Sequence, residues 1–490
     1  MLNRALVTSM VAAAAACGRT SAAPGLDGGE VDSGTAGRPN ILLIIGDDLG
    51  AADVGAYAAE WGNQGALGAP PTPVLDRLAA DGVRFTTTWS NPVCSPTRAT
   101  LYSGRYGFRT GVGTVVAAAT DNVLVLAETS LAEAIPADYR AGLFGKWHVG
   151  ANAAAGAPSP PGAQGWDIHQ GILSGALASY TRWTKNVFID DGDGVIETAE
   201  VTTVDSTRYV TEELTADAAA WIGAQDQPWL AVLALTAPHA PFHVPPDPAT
   251  YSVALDATCA TDVNSDRRCY RAAIEAMDTH LGRLLYDDRD GDGVDADDPL
   301  RPELANTLVI FVGDNGPPTM VAPAGFGTLN KDTVYEGGVR VPLIIAGAPV
   351  AARGRVVDDL VGVVDLFATI VAATGGDATT GIDSHSLLDY LTTQDGRPTA
   401  PRTSVYTETF AGDDPNDPVE SQAAYRAGQL KLVKEKGRVV GLYELVAPLE
   451  GENLIDPACG PGCGCLRSAH VGQRTACDGL EAAMTALQRE

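Results

Sequence analysis

The chain has 490 residues, 45% of them apolar and 19% charged, a length and balance that allow a large buried core and exclude a disordered or low-complexity chain. Against 61 Asp and Glu stand only 33 Lys and Arg, a formal charge of −28. That excludes nucleic acid as a partner, which needs cations to replace the counterions along its phosphates. The same charge weighs gently against long polysulfated chains as substrates, and serves equally well for solubility in a salty habitat.

At the N-terminus, Arg4 precedes a short apolar run from Ala5 to Ala16, and small residues lead up to Cys17. The run is too short to span a membrane and fits an export signal over residues 1–17. Small residues before a cysteine resemble a bacterial lipoprotein cleavage site, which would leave Cys17 as a lipidated first residue. Ala14 departs from that pattern, which favours Leu there, and plain secretion is the next expectation. Residues 18–38 read as a flexible tether. Beyond them no run of about 18 to 20 apolar residues occurs, so no membrane-spanning helix is expected in the body.

Asn40 to Gly46 is a buried-strand run that ends at Asp47-Asp48. Similar runs follow at Trp229 to Thr236, Thr307 to Val312 and Val341 to Ala346. Helical stretches lie between and around them at Pro73 to Asp81, Ser206 to Gly223, Arg267 to Leu285 and Asp359 to Thr374. Continuous apolar strands alternating with helices predict an α/β sandwich whose mostly parallel sheet is covered on both faces. Polar residues follow the ends of three of these strands, where open α/β sheets bind ligands. After about residue 400 the texture changes to short strands, Ser404 to Thr409, Leu430 to Glu435 and Val439 to Val446, as in a small antiparallel sheet. We therefore expect a domain over 39–400, a subdomain over 401–456 and a Cys-rich tail over 457–490.

Cys259 and Cys269 flank a polar loop and are expected to pair. Cys459, Cys463, Cys465 and Cys477 would form two bridges of open connectivity, with a zinc site as the rival reading. Two acidic loops stand apart. Asp288, Asp290 and Asp292, followed by Gly293, match the start of an EF-hand-like calcium loop, although Pro299 replaces its final Glu and Asp295 or Asp297 would have to serve. Asp191, Asp193 and Gly194 with Glu200 fit half of that template, with Ile189 where the first Asp belongs. Each is either a structural calcium site or a solvated turn.

Chemistry concentrates in five motifs. Asp47-Asp48 and Asp314-Asn315 both follow strands and together make a hard-oxygen site suited to calcium or magnesium. Cys94-Ser-Pro96-Thr-Arg98 opens a helix, where a thiol is either buried structure or a nucleophile with a lowered pKa. Gly145-Lys146-Trp147-His148-Val149-Gly150 places Lys146 and His148 two apart, on one face of an extended segment. Pro238-His239-Ala240-Pro241-Phe242 follows a strand, with His243 at its rim. Lys331 precedes Glu336-Gly337-Gly338-Val-Arg340-Val-Pro342. Trp166, Tyr180 and Trp183 read as buried aromatics before stacking residues.

Taken in order, these motifs resemble those of the formylglycine-dependent (type I) sulfatases, over roughly residues 38–456. The resemblance implies the alkaline-phosphatase-like α/β fold with a small C-terminal antiparallel sheet. It implies that a maturation enzyme oxidises Cys94 to formylglycine, whose hydrate attacks the sulfur of a small or carbohydrate sulfate ester. Asp47, Asp48, Cys94, Asp314 and Asn315 would hold one divalent ion, calcium before magnesium. Arg98, Lys146 and Lys331 would neutralise the sulfate, His239 would protonate the leaving oxygen, and Asp314 is a candidate base. His148 would take the proton from the second hydroxyl as sulfate departs. The alternatives are a phosphoester or phosphonate hydrolase of the same fold and, from a different class, a non-catalytic calcium-binding surface lipoprotein.

Overall fold

Ile41, Leu42, Leu43, Ile44 and Ile45 are all fully buried, which one strand achieves only when both faces of its sheet are covered. Alternate side chains enter two different cores. Ile41, Leu43 and Ile45 pack with Leu101, Leu366, Phe367 and Ile370; Leu42 and Ile44 pack with Leu75, Leu214, Ile274 and Leu281. The first core is roofed by the Cys94–Ser103 and Asp365–Ala373 helices, the second by Pro73–Asp81, Val210–Gly223 and Arg267–Leu285.

The computed structural model describes residues 37–61, 68–117, 123–150, 160–190, 201–255, 259, 266–287, 300–377, 382–394, 398–410, 421–445 and 449–489. Residues 38–490 form one unit. In chain order the strands are β1 (Asn40–Gly46), β2 (Val83–Phe85), β3 (Thr88–Trp89), β4 (Arg140–Lys146), β5 (Ile168–Ile172), β6 (Trp183–Ile189), β7 (Thr202–Ser206), β8 (Trp229–Ala234), β9 (Thr307–Gly313), β10 (Leu343–Gly347), β11 (Arg355–Val357) and β12 (Val361–Gly362). Then follow β13 (Ser404–Thr409), β14 (Gln422–Ala427), β15 (Leu430–Glu435) and β16 (Arg438–Glu444). The main sheet has ten strands in the order β11-β2-β10-β9-β1-β8-β4-β5-β6-β7. From β9 to β5 neighbouring strands are parallel, whereas β10 against β9 and β6 against β5 are antiparallel. The mixed, mostly parallel α/β sheet is thus the one the apolar runs predicted.

Several boundaries differ from the sequence reading. The stretch from Ser206 starts its helix only at Val210, because Thr202–Ser206 pairs antiparallel with Trp183–Val187 as an edge strand. Likewise the Asp359 stretch turns helical only at Asp365, after Val361–Gly362 has paired with Thr88–Trp89. Three of the four small-sheet strands sit where expected; β14, which was not anticipated, pairs with β13 and β15. Cys259 bonds Cys269 as expected, and the tail forms Cys459–Cys465 and Cys463–Cys477, which removes the thiolates a zinc site would need. The export segment with Cys17, the loop with Asp288, Asp290 and Asp292, and the loop with Asp191, Asp193 and Glu200 lie outside the described residues. Among the described residues no helix is long and apolar enough to cross a membrane.

The four-stranded antiparallel sheet buries one face against the Arg474–Leu487 helix through Leu432, Leu442, Leu480 and Met484. Its other face packs Val405, Ala424 and Val433 on Trp89, Val334, Tyr335 and Val339. In that interface Lys431, fully buried, reaches Glu336 Oε1 at 3.0 Å and Glu450 Oε1 at 2.6 Å. Its ammonium also lies 4.6 Å from the centre of the Trp89 ring. Glu336 begins the turn just after Lys331, so this ion cluster ties the small sheet to the main unit. Lys431→Met leaves two buried carboxylates short of a cation and is expected to destabilise the fold by about 3–5 kcal/mol, measured by urea denaturation.

Candidate active site

Because β9, β1, β8 and β4 are consecutive and parallel, their C-terminal ends open on one edge of the sheet. Asp47 and Asp48 follow β1, Asp314 and Asn315 follow β9, Lys146 ends β4 with His148 just beyond, and His239 lies in the turn after β8. Cys94 enters as the first residue of the Cys94–Ser103 helix, with Arg98 one turn along. Lys331 arrives on the loop before Glu336, its N–H bonded to Pro317 O at 3.1 Å. All the sequence-predicted site residues therefore come together.

Asp47, Asp48, Arg98, Lys146, Asp314 and Asn315 are at most 1% exposed, so their charges must satisfy one another. Lys146 Nζ lies 2.7 Å from Asp47 Oδ2, and Lys331 Nζ lies 2.6 Å from Asp48 Oδ1. Arg98 donates from Nε and Nη2 to Asp314 Oδ2 at 3.2 and 2.9 Å, and from Nη1 to the Lys146 carbonyl at 2.8 Å. The other Asp314 oxygen accepts from the Asp48 N–H at 2.9 Å. Asn315 Nδ2 donates to Asp48 Oδ1 at 2.7 Å. His239 Nε2 stands 3.6 Å from Asp48 Oδ2, while its Nδ1 lies 2.7 Å from Ala240 O. A carbonyl only accepts, which assigns the Nδ1 proton and turns Nε2 toward the site.

These surroundings set the protonation states. Burial alone would raise the Asp47 carboxyl, but Lys146, His239, Arg98 and Lys331 hold it well below the usual carboxylate range. Burial, then the charge of Asp47, pushes Asp314 up despite Arg98. His148 drops to about 2 through burial and the like charges of Lys146 and Arg98, so its imidazole is neutral. Burial carries the Cys94 thiol up to about 12, outweighing Lys146 and Lys331. The encoded side chain is thus a protonated thiol, and the thiolate reading of Cys94 loses its support despite the helix N-terminus.

The donor set fits a divalent ion. Asp47, Asp48, Cys94 and His239 each offer an atom within 4.8 Å of the others. Asp47 Oδ1 and Asn315 Oδ1 are buried without a hydrogen-bond partner, a costly state that a hard cation relieves. Both Asp314 oxygens are already engaged, Oδ2 by Arg98 and Oδ1 by the Asp48 N–H.

Backbone geometry builds the pocket. His148 has φ 59° and Gly145 φ 113°, and a Cβ at Gly145 would lie 1.9 Å from Ala234 O, so only glycine fits there. Two contributors carry no motif and were missed as site residues. The Tyr180 hydroxyl is 2.6 Å from Thr236 O and 2.7 Å from His239 O, clamping the His239 turn; sequence showed only a buried aromatic, as Trp166 and Trp183 also are. Gly175 faces His148, where an added Cβ would sit 2.3 Å from Nε2. His243 stacks on Tyr180 with ring centres 4.0 Å apart.

With the geometry in place, comparison with known proteins is decisive. The sulfatase family model matches residues 39–376. The chain belongs to the sulfatase family. Rat arylsulfatase G is 27% identical over 382 residues, covering 69% of this chain and 65% of that protein. Human arylsulfatase A is 32% identical over 366 residues, covering 69% and 64%. This sulfatase-family chain therefore matches slightly less than two thirds of the length of those relatives. Among solved structures, BT4656 in complex with its substrate D-glucosamine-2-N,6-O-disulfate superposes with a TM-score of 0.64 at 18% identity, covering 92% of this chain and 98% of that one. That likeness establishes the shared fold.

Gly175→Ala keeps a backbone conformation that alanine adopts but collides with the imidazole of His148. It is expected to leave the thermal midpoint almost unchanged while displacing that ring, read from the His148 imidazole resonances by NMR.

Proposed function

We propose that this chain hydrolyses sulfate monoesters to an alcohol or phenol and inorganic sulfate. One observation carries the reading: Cys94 and His239 share a cluster with the buried carboxylates to which Arg98, Lys146 and Lys331 are paired, with His148 beside Lys146 and Arg98, in a sulfatase-family chain. A buried, protonated thiol is a poor nucleophile, which supports maturation of Cys94 to formylglycine by a dedicated enzyme. The hydrated aldehyde supplies two hydroxyls on one carbon, one to bond sulfur and one to drive sulfate off, where a thiol offers neither. Asp47, Asp48, Asp314 and Asn315, with residue 94, would hold a divalent ion, calcium before magnesium. Such an ion supplies Lewis-acid stabilisation of charge on sulfate oxygens.

The chain's own residues do the rest. Lys146 and Lys331 bring ammonium groups to the mouth of the cage, and Arg98 stiffens it by gripping Asp314. Pre-placed charge of this kind stabilises a transition state without reorganisation. His239, its Nδ1 proton fixed on Ala240 O, directs Nε2 toward the departing oxygen; as an imidazolium it would give the Nε2 proton to that oxygen as general acid and be left as the Nδ1–H tautomer. His148, neutral and with Nδ1 buried and unpartnered, is the acceptor for a proton lost from residue 94. Asp314 has both oxygens engaged, by Arg98 and the Asp48 N–H, and serves as ligand and anchor rather than base.

The substrate proposed is a small or carbohydrate sulfate ester; relatives named arylsulfatase and N-acetylgalactosamine-6-sulfatase support it, as does the sulfated sugar bound by BT4656. The acidic net charge supports no nucleic-acid partner. We also propose export, with the first 17 residues as signal and Cys17 as a lipid anchor. Three disulfides support an oxidising compartment. The loop with Asp288, Asp290 and Asp292 is proposed as an additional calcium site, on sequence alone.

Peptide mass spectrometry is expected to find residue 94 with sulfur and two hydrogens lost and one oxygen gained. Cys94→Ala is expected to fold normally and to hydrolyse no sulfate ester; undiminished turnover would overturn the proposal. His239→Ala is expected to slow esters of poorly acidic alcohols by about 10²–10⁴-fold. Esters of acidic phenols, which need no proton to leave, should be slowed far less, as a series of leaving groups would reveal.

A further inference from the structure

Asp48 stands in the left-handed region, with φ 63°, where residues other than glycine are uncommon and are held by their surroundings. That turn of the backbone sends its carboxylate back beside Asp47, Cys94 and His239. Two bonds hold the turned peptide. On one side its N–H is bonded to Asp314 Oδ1 at 2.9 Å. On the other, its carbonyl accepts from the hydroxyl of Tyr270 at 2.8 Å.

Tyr270 belongs to no motif of the site. It lies in the first turn of the Arg267–Leu285 helix, fully buried, next to the disulfide-bonded Cys269. Its hydroxyl oxygen is also 3.2 Å from Asp53 Oδ2, and the second oxygen of Asp53 accepts from Arg267 Nη2 at 2.7 Å. Asp53 is itself fully buried. The hydroxyl shares its single proton between the Asp48 carbonyl, the shorter contact, and the Asp53 carboxylate behind it.

We infer that Tyr270, steadied by Asp53, is a positioning residue for the divalent cation: it locks the left-handed turn that aims the Asp48 carboxylate into the cage. This rests on the proposal that Asp48 ligates such an ion. Outer groups that orient metal ligands commonly govern affinity without touching the metal. Lys331 contacts both Asp48 oxygens, so loss of the lock would loosen the carboxylate against a competing cation already in place.

The test uses the full chain, stripped of metal with EDTA and titrated by calorimetry with calcium chloride alone and with magnesium chloride alone. Besides any calcium taken by the Asp288 loop, which every variant keeps, wild type is expected to bind one ion in the cage, and Tyr270→Phe to raise the Kd of that ion by about tenfold or more, with a smaller calcium-induced rise in thermal midpoint. The matched control is Tyr139→Phe, which removes a similar bond, 2.8 Å to Pro39 O, at the opposite end of β1. It should lower the midpoint in EDTA but leave the Kd unchanged. If Tyr270→Phe does not fold, Asp53→Ala replaces it: the hydroxyl loses its second anchor with no new donor put in its place, and the Kd should rise in the same direction. Wild-type affinity in Tyr270→Phe, or in Asp53→Ala where that stands in, overturns the positioning role alone. A wild-type chain that binds neither cation overturns the metal proposal and this inference with it.

Discussion

Everything at this site follows from burying opposite charges together at one edge of a parallel sheet. Asp47, Asp48 and Asp314 face Lys146, Lys331 and Arg98, all of them buried or nearly so. No single member is tolerable in that place without the others, because an unpaired buried charge costs several kcal/mol. The strand ends bring the carboxylates in, the helix and loops bring the cations, and the small antiparallel sheet steadies one of those loops through Lys431. The consequence is a pocket whose polar groups are fixed in advance of any substrate. It also leaves two acceptor oxygens, on Asp47 and Asn315, without a hydrogen-bond partner among the described residues.

Much of this was legible in the sequence, for physical reasons. A strand buried on both faces has no polar alternation, so Ile41 to Ile45 declared a covered parallel sheet, and the acidic pairs behind β1 and β9 declared where that sheet opens. Motif residues were readable because the chemistry restricts them to a few types at short spacing. Less legible were the edges. Thr202–Ser206 and Val361–Gly362 are strands only through pairing with distant segments; local pattern had assigned the second, and Ser206 of the first, to helix. Least legible were Tyr180, Tyr270, Asp53 and Gly175. Each acts through one contact with residues remote in the chain, and an isolated Tyr or Gly carries no spacing to betray it.

Protonation tells a similar story. A cysteine at a helix N-terminus suggests an activated thiolate when read locally, yet full burial outweighs the helix and two lysines and leaves a thiol. His148 is neutral for a related reason: burial first, then the charges of Lys146 and Arg98, expel a proton from its ring.

The central claim is that this buried charge cluster is built to cleave esters of sulfate at residue 94. The most direct measurement is kcat/KM for the sulfate and phosphate monoesters of one phenol, using protein whose residue 94 has been shown to be oxidised. The account requires a clear preference for the sulfate ester. Preference for the phosphate ester, or turnover of neither, would contradict it.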